Sequence, residues 1–134
     1  MEVEITTAND YSLWIDSYDK GIITLNKTPY SEPIRISHQK VIPITKDFSQ
    51  LTLEDFLTTT SQSEIVLLGT GKQRLFLPPQ LQVMLFQRGI AVELMSTSAA
   101  VHTFNLLMAD SRKVSAWLWP VSYTHLTLPT SDLV

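Results

Sequence analysis

Glu64-Ile-Val-Leu-Leu-Gly69-Thr-Gly71-Lys72 is an apolar, β-branched run broken by a Gly-Thr-Gly turn, and its reading decides the fold. Such a run fits a strand buried on both faces. Pro78-Pro79 follow, and Pro79 suits the first turn of a helix. Leu81, Met84, Leu85 and Arg88 then share one helical face, which Val83 and Phe86 widen. Gly89 suits the left-handed position that ends a helix. Ile90 to Met95 reads as the next strand. Ser96-Thr97-Ser98 opens another helix over Ala99 to Met108, with Ala100, Thr103, Leu106 and Leu107 on its core side and Phe104 in the core. Asp110-Ser-Arg112 turns the chain into a last strand, Val114 to Trp119. From Ser63 to Pro120 the unit therefore reads strand, helix, strand, helix, strand. Glu64–Leu68 and Ile90–Leu94 are expected to be adjacent and parallel, because the crossover between them holds a helix.

Outward from this unit the signals are shorter. Residues 1–10 read as a loosely fixed lead-in. Tyr11–Ile15 and Ile22–Leu25 form a hairpin around turn residues Asp16 to Gly21. Asn26 to Pro33, with two prolines, reads as a loop. Ile34–Ile36 and Val41–Ile44 are strand-like, and Pro43 places the second at an edge. Thr52 caps a short helix whose first turn carries Glu54 and Asp55, with Leu53, Phe56 and Leu57 on one face. The tail after Pro120 has neither Lys nor Arg and no helical spacing. It resembles adapter read-through found at the ends of unrelated translated reads. Residues 121–134 are accordingly expected to be non-native or disordered, and 1–120 to form a single domain.

Composition narrows the function classes. With 134 residues, 44% hydrophobic and 17% charged, the chain can bury one core. A net charge of −3 with scattered signs lacks the basic footprint of a nucleic-acid binder. The absence of cysteine removes disulfides, thiolate zinc sites and a Cys nucleophile, and fits a reducing compartment. No apolar run approaches the roughly 20 residues of a membrane helix, and the acidic start lacks the positive region of a signal peptide. The expectation is a cytoplasmic protein without membrane insertion.

Candidate chemistry gathers at two loops. Gly69-Thr-Gly71-Lys72 and Ser96-Thr97-Ser98 each follow the C-terminus of a strand, where open α/β sheets place ligands. The second also starts a helix, whose N–H groups favour an anion. Gly69, Gly71, Lys72, Ser96, Thr97, Ser98 and, from the helix beyond, Asn105 are thus candidates for holding a small anionic ligand. The competing reading is equally local: the glycines make a tight turn, Ser96 or Thr97 caps a helix, and Asn105 bonds nearby backbone. Gly-Thr-Gly is too short for a phosphate-cradling loop and lacks its Gly-Lys-Ser/Thr ending. His38, His102 and His125 have no metal-ligand spacing. There is no catalytic set, no metal set and no cofactor fingerprint. Trp117 and Trp119 share one strand face; they serve either as core or, with Arg112, as anchors of a protein contact.

Four pieces in this order, Ile65-Val-Leu-Leu-Gly-Thr-Gly-Lys72, Leu77-Pro-Pro79, Gly89-Ile-Ala-Val-Glu-Leu-Met95 and Thr97-Ser-Ala-Ala-Val-His-Thr-Phe-Asn105, resemble a small α/β family long of unknown function. Its animal members include mitochondrial complex I assembly factor 3 and the adipogenesis-associated domain protein; its bacterial and archaeal members are mostly uncharacterised. The likeness spans roughly Leu13 to Pro120. His102 departs from it, standing where many relatives carry Arg. The resemblance implies a three-layer α/β domain: a central mixed sheet, helices on one side and an additional N-terminal β-layer. It implies a non-enzymatic interaction or assembly module, with a protein partner or self-association. The alternative is an anion-binding protein or enzyme using the loops at 69–72 and 96–98.

Overall fold

The computed structural model describes residues 14–37, 40–59, 65–72 and 75–120. His38, Glu64, Arg74, His125 and the tail lie outside the described residues, as do Tyr11–Leu13.

Two sheets form. The first holds β1 (Ile15–Asp19), β2 (Ile22–Leu25) and β3 (Thr28–Tyr30) in the order β1-β2-β3, all antiparallel. β4 (Ile34–Ser37) and β5 (Lys40–Pro43) then enter the second sheet. A 3-10 turn (Phe48–Gln50) and α1 (Leu53–Thr59) precede β6 (Ile65–Thr70), α2 (Pro79–Gln87), β7 (Ala91–Met95), α3 (Thr97–Ala109) and β8 (Val114–Trp119). The second sheet has the order β5-β4-β8-β6-β7. β6 is parallel to both β7 and β8, while β4 is antiparallel to β5 and β8. The expected parallel pairing of the strands at 64–68 and 90–94 is therefore present, with Pro43 on an edge strand.

Sequence reading missed the first sheet in part. Asp16–Asp19 belong to β1 rather than to a turn, and the turn is Lys20-Gly21 alone, both at positive φ (52° and 76°). Asn26-Lys27 is a second two-residue turn with positive φ (47° and 71°), so Thr28–Tyr30 pairs as a strand where a loop was expected. Such mirror-image turns match the twist of a hairpin. Asp16 lies at a register shift in β1, and its carboxylate accepts the Lys27 N–H at 2.7 Å. Pro29 is tolerated because β3 is an edge.

Connectivity explains the layers. The chain leaves β6 for its neighbour β7, then returns across β6 to β8. Right-handed crossovers running in opposite directions put their helices on opposite faces. The hydrophobic contacts agree. On one face, Leu67, Ala116 and Leu118 pack with Ala100 and Phe104 of α3 and with Ile15, Ile23 and Leu25 of the first sheet. On the other, Val66, Leu68, Trp117 and Trp119 pack with Leu81 and Leu85 of α2, Phe56 of α1 and Phe48. The three-layer expectation holds, but helices lie on both faces and not on one. Two helix faces also differ from expectation. α2 buries Leu81 and Leu85, while Val83 and Phe86 point outward, and Leu106 of α3 is exposed. No helix among the described residues is long and apolar enough to cross a membrane.

Candidate functional site

β6 and β7 are adjacent parallel strands whose following helices leave to opposite faces. The two connections diverge there, which opens a crevice beyond the strand C-termini. A cleft of about 390 Å³ occupies this position, lined by Thr70, Lys72, Leu75, Met95, Ser96 and Ala99. Topology thus places the cleft where the two loops meet.

The candidate residues divide sharply. Lys72 and Ser96 line the cleft; Gly69, Gly71, Thr97, Ser98 and Asn105 do not. Gly69 is buried under α3. A Cβ on it would come within 2.9 Å of Ala100 Cβ and 3.0 Å of Thr97 Cα, so its role is the close approach of helix to strand. Gly71 turns the chain at a φ of 75°. Its N–H donates to Thr97 Oγ1 at 2.7 Å, and its carbonyl accepts the Thr97 N–H at 3.0 Å. Thr97 Oγ1 in turn donates to the Trp119 carbonyl at 2.7 Å. One buried hydroxyl therefore ties the ends of β6 and β8 to the start of α3. Tyr18 adds the first sheet to this junction, donating its hydroxyl to the Pro120 carbonyl. Burial pushes the Tyr18 hydroxyl pKa up, and a hydrogen bond with Thr97 partly opposes that rise.

The anion-favouring character of the α3 N-terminus is largely used internally. Ser96 Oγ accepts the Ala99 N–H at 3.1 Å, the Ser96 carbonyl accepts the Ala100 N–H, and Gly71 takes the Thr97 N–H. The Ala100 bond is the first ordinary helical one, so two of the N–H groups that a helix start leaves open, those of Thr97 and Ala99, are engaged by the protein, which weakens the electrostatic case for an anion there. Ser98 is exposed on the first turn.

Asn105 was expected beneath the loops. It lies eight positions beyond Thr97 along α3, about 12 Å at helical rise. Its side chain bonds the backbone of Ile15 twice. The expectation of bonding to nearby backbone holds only in kind, since the partner belongs to the other sheet.

The tryptophans need a correction as well. Trp117 and Trp119 share one face of β8, as their spacing predicts, but each is only 2% exposed. Trp119 meets Phe48 edge-on, and Trp117 lies against Phe56 with ring centroids 5.0 Å apart. Neither is available on the surface as a contact anchor, because the 3-10 turn and α1 cover this face. Arg112 is exposed at the turn between α3 and β8. The cleft residues Thr70 and Met95, which were not among the candidates read from the sequence, are the last residues of β6 and β7. No group of three His, Cys, Asp or Glu suited to a metal ion occurs among the described residues.

Residues 15–119 match a family model described as protein of unknown function (DUF498/DUF598). The chain belongs to this family. NADH dehydrogenase (ubiquinone) 1 alpha subcomplex assembly factor 3 from Rattus norvegicus is 32% identical over 113 residues, which cover 81% of this chain and 61% of that protein. The DUF498/DUF598 chain therefore spans under two thirds of that relative's length. A crystal structure described as an outer membrane protein from Bartonella henselae is 34% identical, with a TM-score of 0.71 over 82% of this chain and 96% of that one. A crystal structure of a Bordetella parapertussis protein is 28% identical, with a TM-score of 0.73 over 81% and 95%. In this DUF498/DUF598 domain the junction at Thr97 is structural, and the cleft beside Lys72 and Ser96 is the candidate site that remains from the two loops.

Proposed function

We propose that the protein is a non-enzymatic interaction domain of the assembly-factor kind, acting in the cytoplasm by binding another protein. The observation that carries this reading is its 32% identity to a complex I assembly factor over 81% of the chain. Catalysis needs placed groups that stabilise a transition state. The candidate loops supply helix caps and turn glycines instead. A contact needs apolar anchors at the surface, and the buried tryptophans do not serve. The outer face of α2 does: Phe86 is 80% and Val83 54% exposed, one turn apart, and Phe76 just before the helix is 72% exposed. Exposed apolar side chains of this size mark interaction sites when they cluster. The test is affinity capture from the native host, comparing the unaltered chain with a Val83→Ser/Phe86→Ser variant. Loss of a specific partner with unchanged melting supports the proposal.

A second reading rests on the cleft of about 390 Å³ with Lys72 and Ser96 on its wall. It makes the protein a binder of a small anion, with Lys72 supplying the charge. Phosphate should then raise the melting temperature with concentration, and Lys72→Ala should reduce that response. A flat response across millimolar phosphate contradicts it.

A further inference from the structure

The two sheets end in β1, β3, β5 and β7. A sheet edge presents backbone N–H and C=O groups to any other strand, and proteins normally blunt it with Pro, Lys or a bulge. β5 carries Lys40 and Pro43, β3 carries Pro29, and β1 has its register shift between Ile15 and Ser17. β7 has none of these and pairs with β6 residue for residue. Among the described residues no strand lies on its other side.

What stands beside this edge follows from crossover handedness and helical spacing. α3 turns Val101, Asn105 and Met108 toward the first sheet, so its opposite flank, with Ala99, Thr103 and Leu106, overhangs β7. On the other sheet face, α2 buries Leu81 and Leu85, which turns Phe86 to the β7 side. Phe86 and Leu106 are both exposed. Both lie toward the start of β7, where α2 ends and to which α3 returns. A strand added to β7 therefore meets an apolar side chain on each of its faces.

Backbone groups of this kind are satisfied by an extended segment that joins the sheet as a further strand. Charge decides whose segment it is. Glu93, at the centre of β7, is exposed and has no ion pair among the described residues. Two β7 strands paired antiparallel set their Glu93 carboxylates opposite or diagonal on one face, which disfavours a second copy. A cation across from Glu93 favours a different chain. We propose that the β7 edge takes an extended segment of a partner protein as an added strand, with apolar side chains against Phe86 and Leu106 and a Lys or Arg opposite Glu93. The inference rests on the interaction-domain reading and names the partner's chemistry; it makes no use of the Lys72 cleft.

The backbone amide resonances of the full chain test it with two synthetic peptides. The first has valine at alternate positions and a threonine-lysine-threonine face; the second has glutamate in place of the lysine. The lysine peptide should shift the amides of Val92 to Leu94, slow their hydrogen exchange and saturate, while amides of the blunted edge β5 stay in place. The glutamate peptide should bind severalfold more weakly. Glu93→Lys, at an exposed position, should reverse that order. Leu106→Ser and Phe86→Ser should each weaken binding, and Val83→Ser, on the far side of α2, should not. β7 amides unmoved by either peptide overturn the proposal, as does equal binding of both peptides to the unaltered chain and to Glu93→Lys. Protection of β7 that grows with protein concentration in the absence of peptide overturns it in favour of a second copy. Either failure leaves partner capture through the outer face of α2 as a separate test of the interaction-domain reading.

Discussion

The carboxamide of Asn105 holds the backbone of Ile15 from both sides: Oδ1 accepts the Ile15 N–H at 3.1 Å, and Nδ2 donates to the Ile15 carbonyl at 2.8 Å. A helix of the main sheet's unit thereby secures the first strand of the other sheet. Ile15 itself is buried with Phe104, one residue away from Asn105. The polar clasp and the apolar contact thus act at the same place. Asn105→Ala should cost about 1–3 kcal/mol, the usual range for leaving buried backbone groups unpaired. Asn105→Asp should restore only the acceptor. In hydrogen exchange, the Ile15 amide should lose protection in Asn105→Ala while amides of β6 and β8 follow global stability. Uniform loss across both sheets would show that the clasp is not local.

Gly69 is predicted to be intolerant of a side chain. Gly69→Ala forces a Cβ against Ala100 and Thr97 of α3, whose positions are fixed by packing and by the Gly71–Thr97 hydrogen bonds. Overpacking of this kind costs about 1–3 kcal/mol. Urea melts of Gly69→Ala check it, and a change within a few tenths of a kcal/mol would show that α3 can lift away freely.

Thr97→Val keeps the shape and removes the hydroxyl. The Gly71 N–H and the Trp119 carbonyl then lose their partner in a buried site. A cost of about 1–3 kcal/mol for each orphaned group is expected. Thr97→Ser should recover most of it. If Val and Ser behave alike, the hydroxyl does not join β6, β8 and α3.

Much of the main sheet was legible because its signals are local. Pro79, Gly89 and Ser96 mark helix ends by backbone chemistry, and the β-branched run at 65–68 marks a strand buried on both faces. What was not legible depends on distant partners. Asn105 finds Ile15 90 positions away in the chain. Burial of both tryptophans requires the 3-10 turn and α1 to fold over β8, which the pattern of β8 alone does not state. Val83 and Phe86 read as core because an apolar residue looks the same whether it faces the sheet or a partner. β3 was hidden because Lys27 adopts a left-handed φ, which is uncommon for a residue with a long side chain.

Acid should loosen the start of α1. Burial alone would raise the Asp55 carboxyl, but hydrogen bonds from Lys46 and from the Thr52 backbone and hydroxyl, together with the Lys46 charge, outweigh it. The folded-state pKa therefore lies below the unfolded one. The stability this provides is present above the ordinary carboxylate value of about 4 and is lost as pH falls through the folded-state value. The effect should be small, because the pair is partly exposed. Comparing the unaltered chain with Asp55→Asn across that window should show the gap between their melting temperatures closing as pH drops. A gap independent of pH would contradict the assignment.

Partner capture that depends on the outer face of α2 tests the interaction-domain reading most directly. The unaltered chain should retain a specific protein partner from its native host, or self-associate. The Val83→Ser/Phe86→Ser variant should lose that contact while melting at the same temperature, since both side chains point away from the core. A monomer that holds no partner and converts a bound metabolite would contradict the account, as would capture that survives the double substitution unchanged.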